Sequence, residues 1–339
     1  MDRRIEEYLA YLAAVRGLSS RTVRSYREDL DRYEAFFGGT GSSAGAGVDA
    51  ASARDLRAFA AELVAEGKAT SSVNRALSAV RGYYRYRVRF GAIPTDPSRD
   101  VESLPSRRAL PHFLFEDEAN AFISSVSGDD FRSTRDRAVL ELLYSTGCRV
   151  GEAASLTLDR LDLEGGTARV MGKGAKERIV FLAAPARKAL AVYLPLRAAR
   201  MARRGAGLRA PQLAPRGTER RPCDATAEEA ADGEHDGKEQ GESVSYVFVN
   251  SRGGRLTERG IEWLIEGYAE RAGLHRRVTP HAFRHSFATH LVGRGADIRA
   301  VQELLGHASV STTQIYTHVD MERLRKVYDQ AHPHGGRGK

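Results

Sequence analysis

Two arginines, two histidines, a lysine and a tyrosine between Arg149 and Tyr316 have the types and spacings that phosphodiester chemistry needs. Thr279 can cap a helix, and Pro280 suits its first position. His281 and Arg284 then lie three residues apart on one face. A helix start points backbone N–H groups outward, which favours an anion. Imidazole can move a proton near neutral pH, and a guanidinium can grip two phosphate oxygens. One such pair is more often a surface contact than a site, so its weight depends on partners elsewhere in the chain.

Gly306 is placed to end a helix where a positive φ is needed, which holds His307 in a turn. Tyr316 comes nine residues later, in a short helix that Ser309 or Ser311 can cap. Free phenol, with a pKa near ~10, is a poor nucleophile at neutral pH. Clustered arginines and a histidine would favour the phenolate and make it competent. Upstream, Arg149 follows GlyCys at a helix boundary, and Glu152 can brace it by charge pairing.

Lys173 stands in the turn GlyLysGlyAlaLysGlu. A phosphate-binding P-loop is excluded there: Thr167 occupies a required glycine position, and Gly174 stands where a hydroxyl residue is needed. His281, His285 and His290 invite a metal reading, but no carboxylate completes an HExxH arrangement and Cys148 and Cys223 are remote in sequence. No metal site and no cofactor are expected. His285 and His290 read as structural.

The elements that position these groups are mostly helical. Val23, Tyr26, Leu30, Tyr33 and Phe37 form an apolar stripe at three- and four-residue steps. After the glycine-rich stretch 38–47, the pattern predicts two helices near 53–66 and 71–90. In the latter, Arg81, Arg85 and Arg89 form a row at i, i+4, i+8. Alone this row reads as a solvated face; beside a DNA site it reads as a phosphate-contacting one. Pro94, Pro97, Pro105 and Pro111 mark an interdomain linker over 94–111. Domains are thus expected at 1–93 and 112–339.

The second domain opens with helices near 116–125 and 134–146. Segments 161–163, 167–171 and 178–182 then read as a small antiparallel meander. Residues 203–243 hold six arginines in their first half and eight carboxylates in their second, with almost no large apolar groups. Such a segment cannot bury enough surface to order itself and reads as a disordered insertion. Met321, Leu324, Val327 and Tyr328 predict a short amphipathic helix, which by itself would pack on its own domain.

At 339 residues the chain suits two domains. The net charge of +8 points to a polyanionic partner. No apolar run could span a bilayer, and two cysteines make no disulfide framework; a reduced, cytoplasmic protein is expected.

GlyCysArgValGlyGlu from Gly147, GlyLysGlyAlaLysGluArg from Gly172, ThrProHisAlaPheArgHis from Thr279, LeuGlyHis from Leu305 and SerThrThrGlnIleTyrThrHis from Ser311 occur in the order seen in the tyrosine (phage-integrase-like) recombinases. The chain resembles that family over nearly its whole length, and within it the bacterial Xer proteins. The resemblance implies a SAM-like N-terminal helical bundle and a catalytic domain that is mainly α with a small β-meander. It implies Arg149, Lys173, His281, Arg284, His307 and Tyr316 as catalytic residues, with Tyr316 forming a 3′-phosphotyrosyl link and Lys173 as general acid. Beside such a site, Arg81, Arg85, Arg89, Lys176 and Arg178 become candidate DNA contacts. The implied partners are double-stranded DNA carrying a dif-like site, a XerD-like recombinase in a heterotetramer and an FtsK-type translocase, with no membrane insertion. The tail helix would dock on a neighbouring subunit. An integrase of a mobile element has the same chemistry, a type IB topoisomerase is a more distant alternative, and an inactive DNA-binding paralogue is the reading from another functional class.

Overall fold

The structure, a computed structural model, describes residues 2–38, 47–105, 113–172, 177–205, 245–274, 277–306 and 318–335. The expected insertion therefore lies almost wholly outside the described residues. The chain divides into two compact units between Ala109 and Leu110.

The first unit holds helices α1 (Arg3–Ala14), α2 (Ser20–Gly38), α3 (Ala53–Ala65) and α4 (Thr70–Arg89). Asp2 accepts from the backbone of Arg4 at 2.8 Å to start α1. Ser52 and Asp55 cap α3 reciprocally, each side chain accepting from the other's backbone N–H. The stripes read from sequence meet in one core: Leu30, Tyr33 and Phe37 of α2 are buried with Leu77, Val80 and Tyr84 of α4. Tyr33 and Tyr84 share a hydrogen bond of 2.7 Å between hydroxyls, so neither polar tip is stranded in the core.

The expected linker does not run free at its start. Val101 is buried in the first unit's core. Asn74 clamps Leu104 from both sides, donating to its carbonyl at 2.9 Å and accepting from its N–H at 2.8 Å. Proline spacing marked a break in helix, but it carried no information about what the broken segment packs on.

The second unit is built round α6 (Phe131–Thr146), buried along nearly its whole length. Asp130 caps its start, accepting from Arg132 and Ser133, and Gly147 closes its end. Around it stand α5 (Glu116–Ser124), the short α7 (Val150–Ala154), α8 (Ala184–Gly205), α9 (Glu258–Arg271), α10 (Pro280–Gly293), α11 (Ile298–Leu305) and α12 (His318–Ala331). A three-stranded antiparallel sheet lies between α7 and α8 in sequence: β1 (Leu161–Asp162), β2 (Thr167–Met171) and β3 (Glu177–Phe181), in the order β1-β2-β3. The register pairs Arg169 with Ile179 and Met171 with Glu177. Residues 172–176 connect β2 to β3 along the chain. Val247, Phe248 and Val249 are buried, and isolated bridges (Thr157 to Tyr246, Val249 to Arg255) hold this segment in place of a full strand.

Helix α12 packs on its own unit. Leu324 and Tyr328 are buried with Phe181, Phe287 and Leu291, and the Tyr328 hydroxyl donates to the Ser145 carbonyl at 3.0 Å.

Candidate active site

The site begins at the end of α6. Gly147 adopts a left-handed conformation, φ +57°, and its N–H returns to the Leu143 carbonyl. This turn throws the chain from α6 into α7 within three residues. Arg149 sits at the start of α7, where its backbone N–H donates to Glu152 Oε2 at 2.7 Å. Its guanidinium donates to Glu152 Oε1 at 2.9 Å. The brace read from ArgValGlyGlu is therefore made twice by one carboxylate. The Arg149 side chain stays 43% exposed, so the guanidinium keeps a solvent-facing edge.

Arg284 comes from α10. Thr279 caps that helix, accepting from the Ala282 N–H at 3.3 Å, and Pro280 opens it, as the sequence predicts. One Arg284 nitrogen donates to the Gly147 carbonyl and the other to the Leu305 carbonyl, both at 2.7 Å. The residue is buried. Burial lowers its pKa to about 10, helped by the charges of Arg149 and Arg178 and opposed by Glu152. Even so, the guanidinium remains charged at neutral pH. Three arginines close enough to perturb one another form a strongly positive locus.

Glu152 is the counterweight. Burial pushes its carboxyl up, but hydrogen bonds from Arg178 and Arg149 outweigh that and hold it below the ordinary carboxylate range. Arg178, from β3, donates from its two terminal nitrogens to the two Glu152 oxygens at 2.6 and 2.9 Å. Its Nε donates to the Leu304 carbonyl at 3.3 Å. This is a correction to the expectation that Arg178 faces DNA: the side chain is 6% exposed and its terminal nitrogens are engaged inward. Period-two reading located its strand correctly. Nothing in the strand itself showed that a buried carboxylate waited opposite.

The other candidates fall as follows. His281 is exposed at the first turn of α10. His285 lies edge-on to Phe113, and His290 is buried with its Nδ1 3.1 Å from the Tyr144 hydroxyl, both in the structural role expected. Arg85 and Arg89 are exposed on α4. Arg81 is turned back: it donates to the Val101 carbonyl at 2.6 Å and to Ser103 Oγ at 3.0 Å. Its guanidinium ties down the segment after α4, which the i, i+4, i+8 row alone could not reveal. Lys173, Lys176, His307 and Tyr316 lie outside the described residues. Cys148 is buried, and burial raises its thiol to about 11, which makes it inert near neutral pH.

The arrangement can do one thing well. Arginine-to-carbonyl contacts join Gly147 to the end of α11, the Glu152 carboxylate ties in the start of α7, and Arg149 remains partly open to solvent at the junction. Such an arrangement can bind an anion, an oxyanion or a phosphate among them.

Comparison with known proteins identifies the family. The phage integrase family matches residues 112–323, and the phage integrase N-terminal SAM-like domain matches residues 5–91. Tyrosine recombinase XerC of Pseudomonas entomophila is 38% identical over 339 residues, covering 100% of this chain and 99% of the relative. Tyrosine recombinase XerC of Thermodesulfovibrio yellowstonii is 37% identical over 331 residues, covering 97% and 96%. Among solved structures, XerH site-specific recombinase bound to palindromic difH substrate, a post-cleavage complex, aligns with TM-score 0.61 at 24% identity over 90% of this chain and 78% of that one. A lambda integrase dimer bound to a COC′ core site aligns with TM-score 0.60 at 17% identity over 91% and 74%. At these identities the two structures support the fold alone.

Proposed function

This chain belongs to the phage integrase family, the tyrosine recombinases, and on that premise we propose that it cuts and rejoins DNA through a 3′-phosphotyrosyl intermediate at a dif-like site, as a XerC-type resolvase of chromosome dimers. The family makes it a DNA strand-exchange enzyme. The observation that supports phosphoryl chemistry at this site is the pair of arginines: Arg284 bonded to the Gly147 and Leu305 carbonyls beside Arg149 braced on Glu152.

In this mechanism the Tyr316 oxygen attacks the scissile phosphorus while His281 assists removal of the phenolic proton. The bond from phosphorus to the 5′-oxygen breaks, and Lys173 supplies the proton that the departing oxygen takes up. Arg149 and Arg284 stabilise the charge that builds on the non-bridging oxygens, and His307 donates a hydrogen bond to the same phosphate. A 5′-hydroxyl of the partner strand then attacks the phosphotyrosyl phosphorus. The tyrosine leaves and recovers a proton, and the phosphodiester count is unchanged. The bond energy is held in the covalent intermediate, so the scheme needs no nucleotide hydrolysis and no metal.

Exposed Arg85 and Arg89 supply phosphate contacts from the first unit, with Lys176 from the catalytic unit. The proposed partners are a XerD-like recombinase in a heterotetramer and an FtsK-type translocase, and the proposed place of action is the cytoplasm. Among the described residues no helix is long and apolar enough to cross a membrane. A mobile-element integrase of the same chemistry is the second reading; full-length similarity to XerC proteins favours the first.

The test is a nicked suicide duplex carrying the dif-like site of the protein's own chromosome. Wild type should accumulate a covalent protein–DNA band. Tyr316→Phe should bind the duplex and give none. An adduct retained by the phenylalanine variant assigns the nucleophile elsewhere.

A further inference from the structure

We infer that Arg178 is a positioning residue of the phosphate cradle, acting from behind Glu152 to hold Arg149 and the end of α11 in register; this rests on the reading of the site as a recombinase phosphate cradle.

The cradle is crossed by two parallel straps. Arg284 spans Gly147 and Leu305, and Arg178 spans Glu152 and Leu304. The two carbonyls at the end of α11 are sequence neighbours, so both straps pull on one helix terminus. Cations at a helix C-terminus are favoured there by the dipole as well as by hydrogen bonding. At the other end, Arg178 holds the carboxylate that caps and braces Arg149. Displacing Arg178 therefore frees two walls of the cradle at once.

The chemistry of the site needs an arginine here. Three donors reach three acceptors: two in a fork on the carboxylate and the Nε on a carbonyl behind it. A lysine ammonium is a point charge and cannot match that planar pattern. Gly306 makes room for the stem. A Cβ at that position would sit 2.8 Å from Arg178 Cδ, so the glycine admits the side chain as well as the left-handed turn.

There is also a charge consequence. Two guanidiniums, Arg149 and Arg178, bond one carboxylate in this cluster, and Arg284 lies close enough to feel its charge. With Arg178 present, Glu152 is neutralised from behind and Arg149 keeps its charge for a ligand. Without it, the whole carboxylate charge falls on Arg149 and weakens it as a phosphate partner. Arg178 thus adds to the field of the cradle from a place where no ligand can touch it.

The experiment compares two suicide duplexes of the same sequence. One has an ordinary scissile phosphodiester. The other has a methylphosphonate there, which is neutral and develops less charge for arginines to hold. Arg149→Ala is the benchmark for a group that faces the phosphate directly. Arg178→Lys should lower single-turnover adduct formation at least about tenfold on the phosphodiester while duplex affinity stays within about threefold. On the methylphosphonate its loss should shrink to about threefold or less, following Arg149→Ala. Arg178→Met, where it remains folded by thermal melting, should show the same pattern more strongly. Equal losses of Arg178→Lys on both duplexes would reduce Arg178 to a fold-stabilising residue and overturn the inference. An unchanged rate on the phosphodiester would overturn it too. If Arg149→Ala itself shows no difference between the duplexes, the cradle reading fails, and this inference falls with it.

Discussion

Arg284 donates to the carbonyl of Gly147, a residue 137 positions earlier in the chain, at 2.7 Å. Gly147 can offer that carbonyl because its backbone turns left-handed at φ +57°. The most buried of the described catalytic candidates is thus held by the residue that ends α6.

Gly147→Ala should damage both fold and cradle. An added Cβ would lie 2.6 Å from Phe287 Cδ1 and 3.0 Å from Leu305 Cδ2, on top of the left-handed strain. The combined cost is about 2–4 kcal/mol of stability, read by urea unfolding. Adduct formation should fall further than the folded fraction does, because the carbonyl under Arg284 must move. A variant as stable and as active as wild type would detach Gly147 from the site.

Lys173→Ala should slow cleavage of ordinary DNA by roughly 100-fold or more, in line with loss of a general acid. A 5′-thio leaving group departs without a proton, so a bridging phosphorothiolate duplex should restore much of the rate. The same loss on both duplexes would remove the general-acid role. Cleavage should persist in EDTA, and a strict requirement for Mg²⁺ would count against the whole mechanism.

Glu141 gives a stability prediction that alkaline pH should reveal. Burial raises its carboxyl to about 7, with Arg137 only partly offsetting this, and its Oε2 is buried without a hydrogen-bond partner. The folded form therefore binds a proton more tightly than the unfolded one. Stability linked to this group is present in mild acid and is lost as pH rises from the ordinary glutamate range through about 7. Glu141→Gln should raise stability by about 1–3 kcal/mol at pH 8 and change it little at pH 5. Denaturant midpoints at the two pH values decide it; a uniform effect would mean that the carboxyl is not the cause.

His332 carries the opposite dependence. Its Nε2 donates to the Tyr144 carbonyl at 3.2 Å, and its Nδ1 accepts from the His334 N–H at 3.0 Å. Only the neutral ring can do both. Burial lowers its pKa to about 3, with the Tyr144 carbonyl opposing and the charges of His334, His290 and Arg294 assisting. Glu116, paired with Arg294, is a countercharge to the neighbouring His334 and His290. Because the folded value lies below the unfolded one, stability is full above the ordinary histidine range and is lost as pH falls below it. Docking of α12 should weaken by about 1 kcal/mol per pH unit below ~6.5, seen as faster amide exchange in that helix. His332→Leu should flatten the trend, and an unaltered pH slope in that variant would place the titrating group elsewhere.

The mainly helical fold, the meander and the family were legible along the chain. Apolar stripes at three- and four-residue steps located α2 and α4 because a helix must bury one face. Period-two segments found β2 and β3 to within a residue, and Thr279 with Pro280 announced α10. ArgValGlyGlu even exposed the Arg149–Glu152 brace, since residues three apart meet across a single helical turn. These are local relations, set by dihedral periodicity and capping, and each can be read from a short window of residues.

Which arginines face outward was settled by packing. Arg81, Arg85 and Arg89 form an identical row in sequence, yet Arg81 turns back onto Val101 and Ser103 while Arg85 and Arg89 remain exposed. Arg178 sits on a strand beside a basic turn, yet it is buried against Glu152 and the end of α11. The two straps join residues 26, 126, 137 and 21 positions apart. A guanidinium is drawn inward wherever packing leaves carbonyls and a carboxylate without water. That demand arises only when distant segments close on one another, so no local pattern around an arginine can announce it.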